Sequence, residues 1–238
     1  MKLGFSTGCL YKLELPWAEV ISHIKATGAN SIELMIARSE TLLKLDVDEI
    51  AKLTSGFKHV SVHSPVKDMH YRDDERTKTI IAKLKEISDA LPAKPNIVIH
   101  PHRVGDFRVL QESGLNFLIE NMETSEKYGD DLEFFKRMKD KFNFILDTQH
   151  ALKIDSTLKL GRDLLDIMGV KLKQFHVSGI VNGTHGLMLL DQERAKQQLH
   201  LIKDLDVPII IESMTLEPDK LGDEYDFVKS FFKMHRNL

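Results

Sequence analysis

Cysteine is nearly missing from this sequence: Cys9 is the only one in 238 residues, so no internal disulfide can brace the fold. A chain of this size without one suits a reducing compartment, and a cytoplasmic location is expected. A surplus of one charge is missing too. Lys and Arg number 33 against 36 Asp and Glu, a formal net charge of -3, so nothing basic draws the chain toward nucleic acid or an anionic membrane. No apolar run approaches the roughly 18 residues of a membrane-spanning helix. The stretch Leu3-Gly4-Phe5 before Ser6-Thr7-Gly8-Cys9 is too short for the apolar part of a lipoprotein signal, so no membrane association is expected. Linkers rich in Pro, Gly or Ser, low-complexity tracts and composition breaks are absent, which argues for one domain over residues 1–238. Gly4 and Gly8 do not make a phosphate loop, because no Lys-Ser/Thr follows them.

What the sequence does have is alternation. Short runs rich in Val, Ile, Leu and Phe recur between longer amphipathic stretches, the pattern of parallel strands joined by crossover helices. Strands are predicted at 2–6, 31–36, 59–63, 96–100, 116–120, 143–147, 173–177 and 207–212. Helices are predicted at 16–27, 47–53, 74–90, 131–141, 157–168, 191–205 and 225–234. Pro16 opens one helix, and Gly28 and Gly169 stand where helices should stop. The segment 101–115 is short for a crossover helix and should shrink to a turn or two.

Buried parallel strands should be almost wholly apolar, yet most of these end in a residue that is costly to bury alone. The endings are His63, His100, Glu120, Asp147, His176 and Glu212. Val98, Leu118, Ile145 and Ile210 lie two positions before His100, Glu120, Asp147 and Glu212, so each pair points the same way. Such endings converge only if the strands close into a barrel, whose carboxyl-end mouth is where barrel enzymes place their chemistry. This predicts an α/β fold, a (β/α)8 TIM barrel, rather than an open sheet. His150 and His185 stand just past strand ends and could reach the mouth from loops. Carboxylates and neutral imidazoles at one point are metal ligands by charge and donor type, and no Arg or Lys at these strand ends would neutralise them. Glu120, Asp147, His176 and Glu212 make a complete ligand set.

Other residues carry plainer expectations. Lys136-Arg137-Met138-Lys139 reads as a solvated helix face, Cys9 as a small core filler, and His70 and Tyr71 as loop surface in preference to a lid over the mouth. Glu33 is expected at the rim in a structural role.

The strand-end motifs resemble the xylose isomerase-like TIM-barrel superfamily of sugar isomerases, sugar epimerases and endonuclease IV. The carriers are His63-Ser64-Pro65, Ile99-His100-Pro101, Ile119-Glu120-Asn121, Leu146-Asp147-Thr148-Gln149-His150-Ala151, Phe175-His176-Val177-Ser178 and Ile211-Glu212-Ser213. The resemblance implies a divalent ion (Mn, Co or Mg) on Glu120, Asp147, His176 and Glu212, with Glu120 and Glu212 as the acid/base pair of a sugar or sugar phosphate isomerase or epimerase. His63, His150, His185 and Glu33 would then contact a small sugar substrate. The alternative is an endonuclease IV-like zinc phosphodiesterase acting on abasic DNA, in which His63, His100, His150 and His185 are additional ligands of a two- or three-zinc cluster. Two departures weaken that alternative: Gly183 stands where the family has an aspartate ligand, and Val66 where an aromatic residue helps open DNA. The loops look short for wrapping a duplex, with Arg38 the one basic residue placed near the second strand end. A third alternative is a barrel that binds metal or ligand without turnover. A homo-oligomer whose protomers close each other's mouths is compatible with all three.

Overall fold

The computed structural model describes residues 1–123, 128 and 131–236. The strands β1 (Leu3–Ser6), β2 (Ser31–Met35), β3 (His59–His63), β4 (Asn96–Ile99), β5 (Phe117–Glu120), β6 (Asn143–Asp147) and β7 (Leu172–Val177) run parallel in chain order. Two short strands, β8 (Gly179–Val181) and β9 (Thr184–Gly186), pair only with each other as an antiparallel hairpin. The strand β10 (Ile209–Ile211) then pairs with both β7 and β1 and closes the barrel. Around it lie α1 (Trp17–Ala26), α2 (Ser39–Leu43), α3 (Val47–Thr54), α4 (Glu75–Ala90), α5 (Arg108–Gln111), α6 (Leu132–Met138), α7 (Thr148–Ile154), α8 (Lys159–Met168), α9 (Gln192–Ile202) and α10 (Lys220–Arg236). Among the described residues no helix is long and apolar enough to cross a membrane.

The period-two pattern of the strands explains this arrangement. Phe5, Ile32, Leu34, Val62, Ile97, Ile119, Phe144, Leu146 and Phe175 face outward and merge with the helices into one core. Residues of the opposite parity point inward, where Val98, Leu118 and Ile145 form a separate apolar cluster. Gly4 faces a crowded strand neighbour: a Cβ there would fall 1.6 Å from the Ser31 carbonyl oxygen, so only glycine lets β1 approach β2. Asp46, Asp74, Asp131 and Asp191 each accept a backbone N–H at the start of α3, α4, α6 and α9.

The predicted barrel is the observed one, with differences in detail. Segment 101–115 is abbreviated as expected, to one 3-10 turn at Pro101–Arg103 and the short α5. The last helix starts earlier than predicted, at Lys220, and the last barrel strand later, at Ile209. Not anticipated are a 3-10 helix over Thr7–Leu13, the helices α2 and α7, and the β8–β9 hairpin. The hairpin's signal was present in Asn182-Gly183, with φ of 51° and 76°, the dipeptide that two-residue hairpin turns demand. Tyr71 is neither lid nor loop surface: it is fully buried, and its hydroxyl donates to the Pro65 carbonyl at 3.0 Å. Its neighbour His70 is exposed, and Cys9 is buried in the core.

Candidate metal centre

Asp147 shows how local folding aims a ligand. As the N-cap of α7 it uses Oδ1 to accept the His150 amide at 2.9 Å. Its own amide donates to Asn121 Oδ1 at 2.7 Å, while Asn121 Nδ2 donates to the Asp147 carbonyl at 2.9 Å. Oδ2 is buried with no hydrogen-bond partner. At the other side of the mouth, Glu224 on α10 accepts from Ser213 Oγ and the Met188 amide, which ties down the chain next to Glu212.

Glu120, Asp147, His176 and Glu212 each offer one ligand atom, all within 4.8 Å of one another. Nδ1 of His176 lies 2.9 Å from Glu120 Oε1 and 3.3 Å from Glu212 Oε2. The other oxygen of Glu120 faces a second group, at 3.2 Å from His100 Nε2 and 3.6 Å from His63 Nε2. Those two imidazole nitrogens stand 3.0 Å apart. Two ligand nitrogens of a tetrahedral zinc, at about 2.0–2.1 Å from the metal, would be roughly 3.3 Å apart. Nδ1 of His63 is engaged by the Ser64 carbonyl at 3.1 Å, which leaves Nε2 for the cluster.

His150 and His185 were expected to reach in from loops. Instead His150 sits on α7 and His185 on β9, and their rings meet edge to face at 5.4 Å. Asn121 O holds Nδ1 of His150 at 2.9 Å and Ser178 Oγ holds Nδ1 of His185 at 2.8 Å, which turns both Nε2 atoms inward. The residue that completes this third group is one the sequence reading missed, Glu123, in the loop after β5. It lies 3.8 Å from His150 Nε2 and also pairs with Lys153, whose Nζ donates to the Gly183 carbonyl at 2.8 Å. No parity rule reaches past a strand end, so nothing in the spacing singled Glu123 out. Gly183, read as a lost ligand, is instead the second central residue of the hairpin turn, where a side chain would be strained.

Glu33 is not at the rim. It is fully buried below His176, and its Oε2 receives hydrogen bonds from Ser61 Oγ at 2.9 Å and Gln174 Nε2 at 2.6 Å. Nε2 of His176 is 3.1 Å from the same oxygen, so the ring is gripped from below while Nδ1 faces the other carboxylates.

The titratable groups are strongly displaced. Burial would raise Glu120, but His176, His100 and His63 outweigh it and hold the carboxyl well below its usual range. Burial pushes Glu212 up to about 7, reinforced by Glu33, Glu120 and Asp147 and opposed by His176. His176 is driven well above the usual imidazole range despite its burial, because Glu212, Glu33 and Glu120 surround it. Burial pushes His100 down to about 4. Four carboxylates around so few positive charges, with Asp147 Oδ2 and Glu33 Oε1 buried and without a hydrogen bond, fit a site that takes divalent cations. The cavity over these groups has a volume of about 330 Å³ and includes Lys67, His102 and Arg103 in its wall.

No protein-family model and no curated protein sequence matches the chain. Solved structures do. A D-tagatose 3-epimerase-like protein superposes with a TM-score of 0.74 at 16% identity, over 100% of this chain and 99% of the other. Endonuclease IV from Thermus thermophilus gives 0.70 at 18% identity, over 98% and 100%. A probable 3-DHS dehydratase from Bacillus anthracis, involved in petrobactin synthesis, gives 0.63 at 12%, over 100% and 99%. The chain shares the closed (β/α)8 TIM-barrel fold of these proteins. At these identities the likeness carries the fold and not the reaction, since these names span an epimerase-like protein, a nuclease and a dehydratase. Within this barrel scaffold the choice falls to the side chains just described.

Proposed function

We propose that the chain is a metal-dependent isomerase or epimerase of a small sugar or sugar phosphate, with Glu120 and Glu212 as its acid/base pair. The observation that carries this reading is their placement on one imidazole, 2.9 and 3.3 Å from Nδ1 of His176, in opposite protonation tendencies. Glu120, Asp147, His176 and Glu212 would hold Mn, Co or Mg. When bound, the ion supplies polarisation of the substrate carbonyl and so acidifies the neighbouring C–H. One glutamate takes that proton as the C–H electron pair moves toward the carbonyl, and a proton returned from the other side of the carbon completes the inversion. His63, His150 and His185 would orient hydroxyls. The cavity volume of about 330 Å³ suits a small metabolite rather than a duplex.

The experiment is incubation of the metal-reconstituted protein with a panel of ketoses in deuterated water. Deuterium should enter the carbon beside the carbonyl, and Glu212→Gln should lower that exchange by about 100- to 10,000-fold, the loss expected for removal of a general acid/base. An unimpaired Glu212→Gln variant would overturn the assignment.

A second reading, a zinc phosphodiesterase, is favoured by the other two groups, His63 with His100 and Glu120, and His150 with His185 and Glu123. Metal content separates the two. One Mn, Co or Mg per chain supports the isomerase, whereas two or three Zn, with cleavage of abasic DNA, support the phosphodiesterase. A barrel that binds metal without turnover would give neither product.

A further inference from the structure

Beside the metal cavity lies a second one, of about 360 Å³, under the 3-10 helix at Thr7–Leu13 and the start of α1. Met35, Lys67, His185 and Glu212 line both, so the two form one continuous site whose junction is the proposed acid/base residue Glu212. Their linings are chemically opposite. The second is walled by Leu10, Leu15, Val20 and Met214 and by the rings of Tyr11 and Trp17. Two of the three hydroxyls in its wall already accept from the backbone, Thr7 Oγ1 from the Met35 amide at 2.8 Å and Ser6 Oγ from the Gly8 amide at 3.3 Å, and the third belongs to the exposed Tyr11. Glu14 also lines it but is exposed to solvent. A polyol reaching into this space would leave hydroxyls poorly paired, whereas hydrocarbon would gain by leaving water.

We infer that the substrate is amphipathic: a hydroxy-carbonyl head at the carboxylate–histidine cluster and an alkyl or aryl tail seated between Leu15, Trp17 and Met214. This deepens the isomerase reading and rests on it for the head, while the tail pocket stands on the lining alone.

Trp17 is the only tryptophan in the chain, so intrinsic fluorescence reports on this cavity directly. Two titrations test the inference. In the metal-free protein, 1-alkanols from ethanol to hexanol should perturb Trp17 saturably, with affinity rising about fourfold per added methylene. In the manganese-loaded protein, hydroxamates from acetyl to hexanoyl, which combine a metal-chelating head with a graded tail, should show the same rise. Leu15→Asp and the exposed-site variant Tyr11→Ser should flatten both series while leaving acetohydroxamate affinity unchanged. A flat alkanol series overturns the tail pocket whatever the metal does. Graded alkanols with a flat hydroxamate series show that head and tail do not belong to one ligand, and overturn the inference. Graded alkanols with no acetohydroxamate binding support the pocket and count against the metal-dependent reading instead.

Discussion

The inside of the barrel is two different materials side by side. Beneath Glu120 and Asp147 the inward residues are Val98, Leu118 and Ile145, an apolar cluster with no hydrogen-bonding duty. Beneath His176 they are Gln174, Glu33 and Ser61, linked to each other by hydrogen bonds and through Gln174 to His59. An apolar layer positions what lies above it by close packing, and its worth is stability. A buried polar chain positions by directed bonds, and its worth is orientation and charge, obtained at the cost of desolvating a carboxylate. The centre above needs both, because its carboxylates must be held near one another and its imidazole must present one chosen nitrogen.

Truncating the apolar side should give the largest effect on folding. Leu118→Ala removes buried hydrocarbon between Val98 and Ile145 and should cost about 2–5 kcal/mol in denaturant unfolding. Metal stoichiometry of the folded fraction should stay the same. Loss of metal with little loss of stability would erase the distinction between the two halves.

The polar side should reveal itself through pH. The folded Glu212 carboxyl is raised to about 7 from its ordinary 4.5, so its contribution favours folding most below the lower value and is lost as pH rises through the upper one. His176 and His63, both raised, act in the same direction: what they contribute is present below about 6.5 and is lost as pH rises through their folded values. Glu120, lowered, adds stability above 4.5 that is lost only on acidification. Chelator-treated protein should therefore melt at lower temperature at pH 8 than at pH 6, with about 1 kcal/mol of that difference from Glu212. Glu212→Gln should remove most of that decline. A metal-free protein that gained stability toward pH 8 would contradict this account of the charges.

The apolar half was legible from the sequence and the polar half only in part. Strand parity sufficed for Val98, Leu118, Ile145 and the endings above them, because period two holds as long as a strand lasts. The same rule sets Glu33 inward, yet an acidic residue inside a barrel reads as a rim contact until Ser61 and Gln174 are seen beside it. Past the strand ends the rule stops. Glu123 was missed for that reason, and His185 was placed on a loop because Gly183 was weighed as a missing aspartate and not, with Asn182, as a turn.

The finest test of the comparison is Glu33→Gln, which keeps the volume and a hydrogen-bonding group but removes the charge beneath His176. The apolar half is untouched, so the metal-free protein should keep its melting temperature to within a few degrees, the shift expected of a change near about 1 kcal/mol. Below the ring, though, a carboxylate accepting from Nε2 both fixes the tautomer and makes Nδ1 more basic, and loss of such a partner typically costs roughly 10–100-fold in metal affinity. Competition with a fluorescent chelator would read that loss without any assay of turnover. Glu33→Asp, which restores the charge one methylene short, should recover part of it. If both variants bound metal as the parent does, the polar column would be packing by other means, and the halves of the barrel would differ in composition but not in what they do.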